Sequence, residues 1–511
     1  MEQFVTITAL VGLVIIVASL LSGAIERTAI PLAAVFLALG AALGPWGFGL
    51  LEISFASPEL RVLATLALAL VLFSDAVTID TRQVRVRKRL AWRVLGPGTL
   101  VPAALIGVAA WLLLGVSPPA AAILGAALAS TDPVLLRTML RSPALPQAPR
   151  IALRLESGLN DVALLPIVAI SILLLLAGAP GEYELSSREL GRQLMGLFLL
   201  GPALGATVGY VGIVLLGRIR DRVGVRRDYE SMYALGLAFT GYAAAEAVGG
   251  SGFLAAFAAG FIVASQDVEL CDCFLEYGEA TAEMLLLLTF VALGTSLIWT
   301  GLTVISFRTL AFAVVALFIR TLVLYPMLRN VGLTQRERRL VALFGPRGLS
   351  ALLFMLLPVF AGVPGAEALF TIACLVTLLS VIIHGGGMAI FLRANTPAGA
   401  PVSATAVGQR PTLNPPSAQA AAGGRRTEIP LRTDRPVGVI SDIPEHIDLP
   451  EVREMIARSE PVVIVDARKD RNLGADPRRA VGAIRLPPDD PVRTATDLRL
   501  SQHATLVVYC A

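Results

Sequence analysis

Residues 126–140 read AALASTDPVLLRTML, an apolar run broken at 130–133 by two hydroxyls, a carboxylate and a proline. Pro133 has no N–H and its ring clashes with the preceding turn, so a helix through this stretch breaks near Thr131 and Asp132. At membrane depth such a break frees backbone carbonyls and N–H groups, and it is tolerated only inside protein or beside a water-filled cavity. A plainer alternative is a proline kink, with Asp132 capping the next helix in a wet loop.

The surroundings are those of a membrane protein. Of 511 residues 55% are hydrophobic and 16% charged, which indicates an all-α polytopic bundle for most of the length. About thirteen apolar segments reach the roughly 20 residues a span requires. The first begins almost at Met1, with Glu2 and no basic leader, so it is expected to be kept rather than cleaved. Strongly basic loops follow odd-numbered spans: RQVRVRKRLAWR at 82–93, Arg137 to Arg154, Arg218 to Arg227, and Arg329 to Arg339. That asymmetry puts odd loops in the cytoplasm, hence the N-terminus outside and the C-terminus inside a cell membrane.

One loop after the break comes LESGLNDVALLPI at 155–167. A charge at the bilayer centre costs on the order of 2.5–3.5 kcal/mol on insertion scales, so intramembrane acids mark function by default. On a helix Ser157 and Asp161 share one face, and Glu156 and Asn160 share another about 100° away. Hydroxyl, carboxylate and freed carbonyl oxygens suit a hard cation. Too few acids gather here for a calcium cage, so a monovalent ion fits better. Later, ALFGPRGLSALLFMLLP at 342–358 places Arg347 between two glycines. A guanidinium buried there needs an anion, and Glu156 is the natural partner. The alternative is that Arg347 snorkels to the cytoplasmic face. Asp75, Glu246 and Arg320 read as helix-end or loop charges.

STDPVLL, LESGLNDVALLPI, GGSGFLAAFAAGFIV and GPRGLSALLF, in that order, resemble the monovalent cation:proton antiporter-1 family of sodium/proton exchangers over residues 5–393. The resemblance implies thirteen helices in two inverted repeats, two crossing broken helices, and a homodimer. It implies that Asp161 binds cation and proton, that Ser157 and the Thr131 carbonyl are further ligands, and that Asp132 and Asn160 stabilise the crossing. It implies a structural ion pair of Glu156 with Arg347. Asn160 in place of a second acid implies electroneutral exchange of Na⁺, or K⁺ or Li⁺, for H⁺, serving pH and sodium homeostasis. Ser74, in LFSDA, stands where many relatives carry an acid.

The membrane region is expected to span 1–395, and a Pro/Ala/Gly-rich linker 396–436. Residues 437–511 alternate strand and helix patterns, as in a small α/β domain. VVIVDARKD, GAIRLPP and ATLVVYC resemble a rhodanese, which implies Cys510 as a sulfur-carrying nucleophile. The thiol-activating loop that would follow is not in the sequence, and the family's histidine before GAI is replaced in RRAVGAIRLP. No catalysis is therefore expected, and the tail reads as incomplete. Cys271 and Cys273 flank Asp272 without a nearby histidine, a weak metal signal. Cys374 reads as packing and His384 as a helix-end residue. No GxxxxGK[ST] loop argues for ATP-driven pumping. No cofactor and no nucleic-acid partner are expected. Two other functions stay open at this point: a cation channel using the same residues, and a membrane-anchored sulfurtransferase.

Overall fold

The computed structural model falls into two units, 1–406 and 407–511. It describes residues 32–79, 88–142, 145–177, 187–266, 278–329 and 331–395, with a few among 12–20; in the second unit it describes 461–467, 482–486, 504–509 and a few others. The linker 396–436, Cys271, Cys273, Cys510 and most of the helical pattern at 448–460 lie outside the described residues.

Every regular element described in the first unit is a helix. In order it contains α1 (Leu32–Leu43), α2 (Pro58–Val77), α3 (Lys88–Leu95), α4 (Pro97–Leu114), α5 (Pro118–Ala129), α6 (Pro133–Arg141) and α7 (Gln147–Ala177). Then come α8 (Ser187–Met195), α9 (Gly201–Arg222), α10 (Arg227–Ala247), α11 (Gly252–Gln266), α12 (Glu279–Thr295) and α13 (Phe307–Met327). The series closes with α14 (Gln335–Leu343), α15 (Leu349–Phe360), α16 (Ala366–Ser380) and α17 (Gly386–Asn395). Seven described helical stretches are long and apolar enough to cross a membrane, or eight if the pair Ala280–Thr295 and Leu297–Val304, bent by 49°, counts as one. Proline opens α2, α4, α5 and α6, where its missing N–H would have had no helical partner in any case.

Small residues let these helices approach closely, which is how apolar helices associate where lipid offers no hydrophobic drive. Gly125 of α5 faces the Ala103 carbonyl and the Gly107 backbone of α4. Gly40 of α1 lies against Gly294 of α12, and Gly205 of α9 against Ala255 of α11. None of these sites has room for a side chain.

The break expected at STDP is present. Helix α5 ends at Ala129, Ser130 and Asp132 are extended, and Pro133 restarts the chain as α6. The GPRG stretch makes a second break: residues 344–348 are non-helical between α14 and α15. The two breaks meet, because the Asp132 N–H donates to the Pro346 carbonyl at 3.0 Å.

Among the described residues of the second unit three parallel strands, β1 (Val462–Asp466), β2 (Ile484–Arg485) and β3 (Thr505–Tyr509), pair in the order β2-β1-β3. They coincide with the three apolar runs read as strands.

The packing at Gly125 yields a direct expectation. Gly125→Val should destabilise by about 1–3 kcal/mol, the usual penalty for overfilling a packed contact. Gly236→Ala should be close to neutral, because open space surrounds Gly236. Melting of the purified protein in detergent compares the two.

Candidate functional site

Each break exposes the carbonyl end of one half-helix and the N–H end of another. Three side chains cover all four ends. Arg347, fully buried, donates from Nη1 to the carbonyls of Ala129 (2.9 Å) and Ser130 (3.2 Å), at the end of α5. Arg320, 2% exposed in α13, donates from Nη1 to Ala342 (2.8 Å) and from Nη2 to Val341 (3.0 Å), at the end of α14. Asp132 serves both N-termini. Its Oδ1 accepts from the N–H groups of Val134 (2.8 Å) and Leu135 (3.4 Å) in α6. Its Oδ2 accepts from the Leu349 N–H of α15 at 2.6 Å. Cations thus sit on carbonyl ends and the anion on N–H ends, which is the favourable sense for the helix dipole.

The GPRG motif follows from this geometry. A Cβ on Gly345 would lie 2.5 Å from the Arg320 guanidinium carbon, and one on Gly348 would overlap the Asp132 carboxylate. Pro346 has no N–H to satisfy, and its carbonyl takes the Asp132 N–H. The Arg347 N–H donates to Ser380 Oγ at 2.7 Å, and that oxygen lies 3.2 Å from Nδ1 of His384. His384, read from the sequence as a helix-end residue, sits buried in a π-helical turn, Val381–Gly385, after α16.

The expected pairing of Glu156 with Arg347 is corrected. Glu156 takes Arg320 instead, with Nε to Oε1 at 2.6 Å and Nη2 to Oε2 at 2.5 Å. Both arginines are buried near the crossing, and the sequence did not reveal which of them α7 faces. Arg320 is therefore no helix-end charge. Its signal was an arginine inside the apolar α13, the same signal that singled out Arg347. Nor does Arg347 snorkel, since it has no exposed surface. Asp132 does cap a helix, as the plainer reading had it, but it is 1% exposed rather than in a wet loop.

Asp161, at 0% exposure, stands apart from this pairing. Its Oδ1 accepts from Ser130 Oγ at 2.5 Å, while Oδ2 is buried without a hydrogen-bond partner. Asn160 Nδ2 donates to Thr131 Oγ1 at 2.9 Å and leaves its own Oδ1 unpartnered. These bonds tie α7 to the first break. Ser157 is buried, but its hydroxyl turns back to the Arg154 carbonyl at 3.5 Å. The sequence reading gave Ser130 no role, although it lies one residue before Thr131 in the same motif. Among these groups Glu156 pairs with Arg320, while Arg347 keeps Nε and Nη2, and Asp161 keeps Oδ2, buried without a hydrogen-bond partner.

Fold and site together define a multi-span membrane protein with a buried, half-partnered carboxylate at the crossing of two interrupted helices. Residues 12–394 match the model of the sodium/hydrogen exchanger transmembrane family, and the chain belongs to that family, one of secondary transporters and not of enzymes. It is 27% identical over 377 residues to the K⁺/H⁺ antiporter NhaP of Alkalimonas amylolytica, covering 73% of this chain and 63% of that protein. It is 26% identical over 378 residues to the K⁺/H⁺ antiporter NhaP2 of Shewanella sp. strain ANA-3, covering 73% and 64%. The chain thus spans a little under two thirds of these relatives' lengths. A Na⁺/H⁺ antiporter of Zygosaccharomyces rouxii is 25% identical over 342 residues, covering 56% of this chain and 40% of that protein. In fold the chain resembles the sodium proton antiporter MjNhaP1 of Methanocaldococcus jannaschii, with a TM-score of 0.60 at 20% identity, covering 77% of this chain and 99% of that one.

The corrected pairing can be measured. Removing one partner of a buried ion pair typically costs about 3–5 kcal/mol, so Glu156→Ala should lower the melting temperature sharply. A double-mutant cycle of Glu156→Ala with Arg320→Ala should show a coupling of about 2–3 kcal/mol. The cycle with Arg347→Ala should show markedly less.

Proposed function

We propose that the chain exchanges a monovalent cation for H⁺ by alternating access, with Asp161 as the shared binding group. The observation that carries this reading is the unpartnered Oδ2 of Asp161, fully buried where α7 meets the first break. A carboxylate that takes either a proton or a cation, never both, couples the two by competition. Occupied by either, it is neutral, and a neutral site can be carried across the low-dielectric interior far more cheaply than a bare charge. One exchangeable charge per cycle corresponds to electroneutral exchange. Asn160, whose side-chain amide donates a hydrogen bond to the Thr131 hydroxyl, adds no titrating charge of its own to α7.

Ser157 and the Thr131 carbonyl are assigned as further cation ligands, which requires the Ser157 hydroxyl to turn from Arg154 toward Asp161. Asp132, Asn160, Arg347, and the pair of Glu156 with Arg320 are assigned to holding the crossing. For the cation we propose Na⁺ or K⁺; the relatives' names divide between the two. The remaining assignments are thirteen spans in two inverted repeats, a homodimer, and a cell-membrane setting with the N-terminus outside. A non-catalytic rhodanese-like tail at 437–511 would then lie in the cytoplasm beyond a linker at 396–436.

Proteoliposomes with an internal pH dye, pulsed with Na⁺, K⁺ or Li⁺, test the reading. The chain should give cation-dependent pH changes that persist with the membrane potential clamped at zero. Asp161→Asn should reduce them to background while leaving a folded protein. A pH change that appears only through a membrane potential would point to a channel and overturn the proposal, as would full activity in Asp161→Asn.

A further inference from the structure

The ends of two spans, α3–α4 and α13, meet at a cleft of about 400 Å³ lined by Trp92, Arg93, Pro97, Pro326, Met327 and Arg329. Its wall is of two kinds. Trp92, Pro97, Pro326 and Met327 form an apolar side, and Arg93 and Arg329 a cationic one, with no acid among the described lining residues. Helix α3 is itself two-faced: Leu90, Ala91 and Val94 are buried, while Lys88, Arg89 and Trp92 are exposed, Trp92 to 72%.

The cationic side has a built floor. Helix α13 has no basic residue in its last turn, and its carbonyl end is closed from outside the helix. Arg93 Nη1 donates to the Met327 carbonyl at 3.1 Å and also to the Arg329 carbonyl. Arg338 Nη2 donates to the Tyr325 carbonyl at 3.2 Å, with its guanidinium 4.5 Å from the Tyr325 ring centre. The adjacent acid, Glu337, is occupied by the Thr334 N–H and hydroxyl in a capping box. Three arginines therefore converge on one span end, and the nearby carboxylate is engaged elsewhere. Arg329 is exposed at the rim.

We propose that this cleft binds the headgroup of an anionic glycerophospholipid. An exposed tryptophan at a span end settles at headgroup depth. Arginine forks match phosphate oxygens with two parallel hydrogen bonds. Basic pockets between spans are a recurring way of holding acidic lipid headgroups. The apolar side decides between a lipid and a free anion. A soluble phosphate gains nothing from Trp92, Pro97 and Met327, whereas a glycerol backbone and the start of its acyl chains do.

Trp92 is its own reporter. In a background of Trp46→Phe, Trp111→Phe and Trp299→Phe, the chain is reconstituted in mixtures containing brominated phosphatidylglycerol or brominated phosphatidylcholine, and quenching gives their relative affinity at Trp92. A preference of about fivefold for the anionic lipid is expected, on the order of what one arginine contributes near a surface. Arg329→Gln should bring it close to one. Native mass spectrometry of the full chain with its native tryptophans provides the same comparison: phosphatidylglycerol adducts should outlast phosphatidylcholine adducts, and Arg329→Gln should erase the difference. Equal quenching by the two lipids, a preference unchanged by Arg329→Gln, or displacement by millimolar inorganic phosphate would overturn the proposal.

Discussion

Backbone groups freed inside a membrane have no water to bind, and that constraint organises the whole site. Two interrupted helices expose two carbonyl ends and two N–H ends at one place. The protein satisfies them with full charges of the right sign: Arg347 and Arg320 on the carbonyls, and Asp132 on both N-termini. The charges have to be paired in turn, and Glu156 supplies what Arg320 requires. Close packing completes the arrangement, because Gly345 and Gly348 leave the space that the Arg320 and Asp132 side chains occupy.

Much of this was readable before any coordinates. Pro133 announced the first break, Arg347 between two glycines a buried charge, and the acids of LESGLND a site. Those signals are local: a missing N–H, a missing Cβ, or a charge in an apolar run each act on the backbone nearby. The partner of Glu156 was not readable, because it is a matter of which of two buried arginines, 27 positions apart (347 against 320), faces α7. Periodicity places a residue on a face of its own helix but says nothing about the neighbour's rotation. Ser130 was missed for a related reason. Its hydroxyl reaches Asp161 only because the chain leaves α5 in an extended conformation at that residue.

The site's chemistry rests on asymmetry between two neighbouring acids of α7. Glu156 is held by two prongs of a guanidinium that is itself tied to the end of α14, so releasing it would disturb the second break. Asp161 has one neutral hydroxyl on one oxygen and no hydrogen-bond partner on the other. The first suits a permanent tie, and the second suits the exchange proposed for it. Asn160 sits between them and anchors α7 to Thr131 without adding charge. The exchange proposed for Asp161 would load and unload that carboxylate while the pair of Glu156 with Arg320 stays intact.

The most direct test of that claim is the proton count at equilibrium. Purified protein in weakly buffered detergent solution, at a pH where the site is protonated, is titrated with Na⁺ or K⁺ while an indicator follows proton release. The competition at Asp161 predicts one proton released per cation bound, and none in Asp161→Asn. Cation binding without proton release, or release that survives in Asp161→Asn, would contradict it.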